Sequence, residues 1–170
     1  MSMASTLRAR IPLKAGPGNR VRQGWDQLAR LPGGQRVFSH LVGRAAPYTG
    51  SIDGQVVELR RGYSRVLLKD RRKVRNHINC VHAIALANLA ELCGNVALAY
   101  SMPDDARFIV AGLSMEYLKK ARGTITAECH GPVPETNERH EYDVVVEMRD
   151  EKGELVTRCT MQTLVGPKKG

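Results

Sequence analysis

A carboxylate stands in the middle of an apolar stretch of this sequence. Glu91 follows Leu89 and Ala90 and precedes Leu92 and Cys93. Because removing a charged carboxylate from water costs several kcal/mol, such a residue is paired, lies at an interface or lines a cleft. In a cleft it can act as a general base that takes a proton from water. The structural alternative is a hydrogen bond to a neighbouring chain.

Two polar residues precede this carboxylate at the start of the same stretch. Asn76 lies fifteen positions before Glu91, and His82 lies nine positions before it. A single histidine at this place could simply cap a helix or face solvent. The first free N–H groups of the helix, those of Ala83 and Ile84, form a site that can bind a developing oxyanion. Such donors together with a carboxylate are the groups that hydrolysis of an activated acyl group requires.

Two clusters of basic residues lie close to these groups in the sequence. The first ends beside Asn76, the second follows Tyr117, and together they contain Arg71, Arg72, Lys73, Arg75, Lys119, Lys120 and Arg122. Arginine and lysine bind phosphate groups through charge and hydrogen bonds. Basic runs of this kind are also common on solvated surfaces.

The charge of the chain is concentrated in its first half. Residues 1–75 contain 16 basic and 4 acidic residues, whereas residues 76–170 contain 10 basic and 13 acidic ones. A one-sided positive field favours an anionic partner, although a basic surface with a loosely ordered arm would show the same balance. Aromatic residues make up only 5% of the chain. We therefore do not expect the stacking surface that reads single-stranded nucleic acid.

The cysteines argue against a metal site. Cys80, Cys93, Cys129 and Cys159 are far apart and form no C-x-x-C pair. Each lies in an apolar run, as a free buried thiol does in a reducing compartment. The first residues are basic without the apolar core of a signal peptide, and we expect no membrane span. These features predict a cytoplasmic protein without a metal.

The hydrophobic pattern predicts an α+β domain. Short helices are expected over residues 22–31 and 35–42, a hairpin over 56–68, a long helix over 81–100, and strands over 108–118, 124–129, 140–148 and 155–165. The long helix is apolar nearly all round, so it must be wrapped by other structure. A curved antiparallel sheet around one buried helix is the hotdog fold. We expect this domain over residues 46–170, after a basic arm (residues 1–20) and short helices that fill residues 1–45.

Two segments carry a resemblance to a known family. The segment from Asn76 to His82, followed by Glu91, resembles the Asn…His-Gly-Gly…Asp/Glu signature of hotdog-fold thioesterases. Residues 113–123 are similar to the Tyr-Leu-x-Pro-Ala-x-Gly strand and turn of the same proteins. The phenylacetate-pathway-like acyl-CoA thioesterases, with an uncharacterised branch beside them, are the most similar group, and the resemblance covers about residues 50–167. The chain departs from the pattern at Ala83-Ile84, in place of Gly-Gly, and at Val110, in place of a hydroxyl residue.

The resemblance implies a set of roles. Asn76 would orient the thioester carbonyl or the attacking water, His82 would support the loop and the thioester sulfur, the N–H of Ala83 would bind the oxyanion, and Glu91 would activate water. Tyr117 and the two basic clusters would bind the substrate, an acyl-CoA or acyl-carrier-protein thioester. The only cofactor implied is coenzyme A as part of that substrate. The chain would form a homodimer or homotetramer with sites at the dimer interface.

Two other functions fit the same fold. A dehydratase or hydratase of 3-hydroxyacyl thioesters also pairs a histidine with a carboxylate, but its extended His-Phe-Pro-Gly entry is absent here. A non-catalytic acyl-CoA-binding or regulatory module is favoured by the departures at Ala83-Ile84 and Val110. A nucleic-acid-binding role rests on charge alone.

Overall fold

The computed structural model describes residues 18–168 as four α-helices, one short 3-10 helix (Arg72–Val74) and six strands. The helices are α1 (Arg20–Leu28), α2 (Gly34–Ala45), α3 (Pro47–Gly50) and α4 (Ala83–Ser101). The strands are β1 (Gln55–Arg60), β2 (Tyr63–Leu68), β3 (Ala106–Tyr117), β4 (Ile125–His130), β5 (His140–Arg149) and β6 (Leu155–Pro167). Each strand predicted from the sequence is present, and its ends lie within two residues of the expected bounds.

One antiparallel sheet contains all six strands, in the order β1-β2-β4-β5-β6-β3. The β1–β2 hairpin turns at Gly62, whose φ of 72° lies in the left-handed region that favours glycine. On β5 the alternating residues Val144, Val146 and Met148 are fully buried. That alternation is the period-two pattern of a strand with one face on the core.

Helix α4 fills the concave side of the sheet. Thirteen of its 19 residues are buried, which confirms the predicted central helix and the hotdog fold. The helix has the length and composition of a membrane span, but 67% of that window is buried inside the fold. Of the other six residues, Tyr100 lies near the end of the helix, and four form a half-exposed stripe at four-residue spacing, Ala83, Ala87, Glu91 and Asn95, with exposed Ile84 beside its start. We call these positions the open stripe of α4.

The N-terminal helices pack on the same core as the sheet. Trp25 of α1 meets Phe38 of α2 edge to face, with ring centroids 5.1 Å apart, and Leu28 is also buried. Helix α1 is capped by Asn19, whose side chain accepts a hydrogen bond from the Arg22 N–H and donates to the Ala99 and Met102 carbonyls. The predicted arm therefore overlaps α1 at residues 19–20, and its residues 1–17 lie outside the described part of the chain.

The two edges of the sheet differ. At β1 the hydroxyl of Ser39 accepts a hydrogen bond from the Val56 N–H, and the side-chain amide of Gln35 donates to the Val57 carbonyl. Helix α2 thus covers that edge. At the other side, β3 pairs only with β6, and no other described strand lies along its outer edge. The short helix α3, which the sequence pattern did not predict, is tied to α4 by the hydrogen bond from the Asn88 side-chain amide to the Tyr48 carbonyl.

Candidate active site

The segment before α4 forms a tight loop built around Asn76. The side-chain oxygen of Asn76 accepts hydrogen bonds from the N–H groups of Ile78 and Cys80, each at 3.1 Å. The Asn76 N–H donates to the Cys80 carbonyl, and Asn79 takes a positive φ of 55°. Because its oxygen is used within the loop, only the NH2 group of Asn76 is left to contact a substrate carbonyl.

The start of α4 is held by two side chains. His82 Nδ1 accepts a hydrogen bond from the Ile84 N–H at 3.0 Å, so the histidine caps the helix and its other ring nitrogen faces solvent. Tyr117 Oη donates to the Ala83 carbonyl at 3.1 Å. Burial, followed by the nearby Cys159, raises the pKa of Tyr117, which keeps the phenol protonated as a donor. The Ala83 N–H has no hydrogen-bond partner within residues 18–168, as an oxyanion donor requires.

Glu91 lies on the open stripe, two turns after the start of α4. It is half-buried and forms neither a salt bridge nor a hydrogen bond with any described residue. Burial, and after it the negative charge of Glu91, raises the pKa of Cys159 on β6 to about 11. Within one copy, therefore, this carboxylate remains available to a ligand or to a second chain.

The structure places the two segments that carry the resemblance, residues 76–82 and 113–123, next to each other. The Val81 N–H donates to the Ala121 carbonyl at 2.9 Å, and the His82 N–H donates to the Val74 carbonyl at 2.8 Å. The loop before α4 and the segment after β3 are therefore neighbours. Both basic clusters thus lie beside the start of α4.

The basic residues of the two clusters divide into paired and unpaired groups. Three of them neutralise carboxylates: Arg71 pairs with Asp53 at 2.5 Å, Arg75 with Asp70 at 2.6 Å and Lys119 with Glu154 at 3.0 Å. Four are exposed and have no acidic partner in the described part of the chain: Arg72, Lys73, Lys120 and Arg122. Only the second group has its full charge free to bind phosphate.

Asp70 is a site-forming residue that sequence reasoning missed. Its carboxylate accepts from Arg75 Nε at 2.6 Å and from the Gly123 N–H at 3.1 Å, so it joins the two basic clusters. The hydrogen bond from Arg75, and then that from Gly123, holds the pKa of Asp70 below its ordinary value of 3.8. The sequence held one clue, because Asp70 is the single acidic residue in the basic run 69–75. Its partner in the second segment, Gly123, takes a positive φ.

This geometry predicts a pH-dependent loss of stability in Asp70→Asn. Because the folded pKa lies below 3.8, the carboxylate stabilises the fold fully above about pH 4, and that contribution is lost as the pH falls through the folded pKa. At pH 7 the substitution should cost about 1–3 kcal/mol, the range for hydrogen bonds to a charged group. Urea unfolding of both proteins at several pH values measures this difference.

The matched control is Asp143→Asn, on the exposed side of β5, where the carboxylate has no ion-pair partner among the described residues. It should leave stability nearly unchanged across the same range. An equal loss in both variants, or a loss from Asp70→Asn that persists undiminished at pH 2, would contradict the assigned role of Asp70.

Solved structures with the same fold cover most of the chain. The protein APC5556 is 35% identical, with 87% of this chain and 99% of that chain covered and a TM-score of 0.76. A protein of unknown function from Pseudomonas aeruginosa, called a probable thioesterase, is 23% identical, with 81% and 97% covered and a TM-score of 0.71. A Streptococcus mutans protein bound to acetyl-CoA is 17% identical, with 69% and 91% covered and a TM-score of 0.58. The last two relatives establish the shared fold.

These relatives define the class of the protein: a hotdog-fold chain whose structural neighbours include thioesterases. The profile of one family, Domain of unknown function (DUF4442), matches residues 34–165. The chain belongs to this family. No curated protein matches it. The family match begins at α2, so that helix is part of the shared unit, whereas α1 precedes it.

Proposed function

We propose that this protein hydrolyses an acyl-CoA thioester by water attack assisted by Glu91. The observation that carries the proposal is the half-buried Glu91 carboxylate, unpaired among the described residues, on a core helix whose other face is apolar. A carboxylate of this kind retains its capacity to accept a proton. The neighbours named as thioesterases support the same activity class.

The proposed reaction uses four groups of the chain. The oxygen of water attacks the thioester carbonyl carbon while the Glu91 carboxylate takes its proton. The Ala83 N–H, together with the NH2 group of Asn76, stabilises the oxyanion that forms. The carbon–sulfur bond then breaks, the coenzyme A thiolate leaves and takes up a proton, and the free acid remains. His82 lies beside the leaving sulfur, where its exposed ring nitrogen can donate a hydrogen bond.

These groups act together only if two copies of the chain meet. His82 and Glu91 are nine residues apart, or about 13 Å along the helix axis at 1.5 Å per residue. A thioester is too small to reach both ends of that span. A complete site therefore combines Glu91 of one copy with the helix start of another, as the interface sites of the resembled family do.

The open edge of the sheet is where the second copy would bind. Strand β3 is twelve residues long, its outer edge is not covered by any described strand, and Ile109 and Leu113 are 65% and 41% exposed. Unpaired edge strands pair with other chains, and lysines added along the edge are expected to weaken this pairing. The open stripe of α4 begins beside this strand, because Tyr117 at the end of β3 donates a hydrogen bond to the Ala83 carbonyl, and the second copy would cover the stripe.

The double substitution Ile109→Lys and Leu113→Lys tests the proposed dimer directly. The wild type should have about twice the 18.8 kDa mass of the chain, or four times if dimers pair again. The double variant should be a monomer by sedimentation or light scattering, without thioesterase activity. Val37→Lys, at a 40% exposed position of α2, is the control that should keep the assembly. A monomeric wild type, or a double variant that still assembles, contradicts the interface.

The substrate that we infer is a coenzyme A thioester. The four unpaired basic residues Arg72, Lys73, Lys120 and Arg122 can bind its phosphates, and the Streptococcus mutans neighbour is bound to acetyl-CoA. A panel of acyl-CoA thioesters, including acetyl and phenylacetyl, assayed for thiol release tests this inference and identifies the acyl group. No release above the uncatalysed rate from any member would contradict hydrolysis.

A second function, acyl-CoA binding without turnover, has its own observation. The oxygen of Asn76 is used within its loop, and Ile84, where the resembled family has glycine, is 54% exposed beside the oxyanion donor. A branched side chain there narrows the approach to the helix start. Tight acyl-CoA binding by a protein that releases no thiol would identify this function.

A further inference from the structure

A groove with a volume of about 760 Å³ lies between α2, α3 and the end of β2. We call it the basic groove, because its cationic and titratable side chains are Arg36, His40, Arg44, Lys69 and Arg71. Leu67 and Leu92 contribute apolar surface to it. It is of the size that binds small organic molecules, about 300–1,000 Å³. Of these residues, only Arg71 belongs to the basic clusters described above.

One wall of the basic groove is a face of α2. Arg36, His40 and Arg44 repeat at four-residue spacing, which places them one above another on that face. The guanidinium groups of Arg36 and Arg44 belong to this face and line the groove, where both could contact one bound anion.

The wall is fixed by close backbone packing. A Cβ on Gly50 would lie 2.5 Å from the Gly43 carbonyl oxygen, so α3 can approach α2 only because both positions are glycine. The side-chain amide of Asn88 holds α3 from the α4 side by donating to the Tyr48 carbonyl. The groove is therefore a built feature of the fold rather than a gap between loops.

Most of the positive charge in the basic groove is not neutralised by any residue that the structure describes. Its one acidic lining residue, Asp53, already pairs with Arg71. Within residues 18–168, Arg36, Arg44 and Lys69 have no acidic partner. The buried Nε–H of Arg71 also lacks an acceptor there. Buried donors are almost always satisfied, so an acceptor oxygen is expected at this wall.

We propose that the basic groove binds the phosphate groups of a nucleotide-sized organic anion. Several cations around an apolar floor fit a phosphorylated ligand with a less polar body better than a simple inorganic anion. Such a ligand is either a free nucleotide or the adenosine bisphosphate end of a coenzyme A thioester. In the second case the inference rests on the proposed function, and the groove, in place of Arg72, Lys73, Lys120 and Arg122, holds those phosphates. The phosphate chemistry is common to both.

Calorimetric titration of the full chain with adenosine 3′,5′-bisphosphate at low salt tests the proposal. Arg36→Ala with Arg44→Ala should weaken binding about tenfold or more, because each residue donates a charge-assisted hydrogen bond to phosphate. The matched control is Arg30→Ala with Arg139→Ala, which removes the same charge from two exposed sites outside the groove. It should change the affinity less than about twofold, a general charge effect at most.

The possible outcomes distinguish the groove proposal from the proposed thioester hydrolysis. Competition between the bisphosphate and an acyl-CoA substrate assigns the groove to the substrate's nucleotide end, whereas binding without competition assigns it to a free nucleotide. Groove-dependent binding in a protein that releases no thiol supports the groove and contradicts the hydrolysis. Equal affinities in the two double variants, or no binding by the wild type at millimolar ligand, would overturn the groove proposal even if thioesters are hydrolysed.

Discussion

Glu91→Gln is expected to lower thioester turnover about 10²–10⁴-fold, the usual contribution of a positioned general base. Glutamine keeps the shape and the hydrogen-bonding capacity of the side chain but cannot take a proton from water. Because Glu91 has no partner among the described residues of its own chain, the fold should be nearly unaffected. Substrate affinity should also hold, so that kcat falls while KM changes little. Thiol release at saturating acyl-CoA measures the effect.

Glu135→Gln, at an exposed position in the loop before β5, is the matched control and should leave turnover unchanged. Retention of wild-type kcat by Glu91→Gln would move the water-activating role to another residue. A large fall in melting temperature would instead indicate that Glu91 supports the assembly.

Mixing two inactive variants tests whether the site is shared between copies. Glu91→Gln and His82→Ala affect opposite ends of the 13 Å span, and a two-copy site takes one end from each chain. After refolding an equal mixture, activity should recover to about a quarter of wild type, since half the dimers are mixed and each holds one intact site. A mixture no more active than its components would show that both residues act within the same copy.

Gly94→Val is expected to have the largest effect on stability. Gly94 lies on the side of α4 that packs against β5 and β6, and a Cβ there would overlap Met161 and lie 3.0 Å from Val144 Cγ1. Overpacking a core of this density costs about 1–3 kcal/mol, and a branched side chain should reach the upper end. The melting temperature should fall by roughly 6–12 °C for a domain of this size.

Gly166→Val makes the same substitution where a Cβ has no neighbour within 4 Å. It lies in β6, where valine is favoured, so stability should stay the same or rise slightly. If the two substitutions were equally tolerated, α4 would not be packed on the sheet as closely as the structure shows.

The sequence allowed the fold to be predicted where local periodicity and burial agree. Residues 141–148 alternate between polar and apolar at every position but Val145, and β5 has almost the same bounds. The helix over 81–100 was recognisable because its apolar residues leave no polar face, as its 13 buried residues confirm. Helix α3 was not predicted, because its four residues form one turn that is held by contacts with α2 and α4.

The candidate site could be predicted only in part. Residue type and spacing identified Asn76, His82 and Glu91 as candidate site residues. Their catalytic roles stay predictions. It could not show that Asp70 joins the two basic clusters, because that contact spans 53 residues. Nor could it show which basic residues are neutralised, since the ion-pair partners of Arg71 and Lys119 come from other elements.

The unequal edges of the sheet limit how large an assembly can grow. Because α2 occupies the β1 edge through Ser39 and Gln35, the sheet within residues 18–168 has one edge, β3, at which another strand can be added. Joining two such edges consumes both, so strand addition ends at a pair related by a two-fold axis and cannot continue into a fibre. Any larger assembly must use a different surface. By covering the β1 edge, α2 thus prevents the growth of this sheet from a second side.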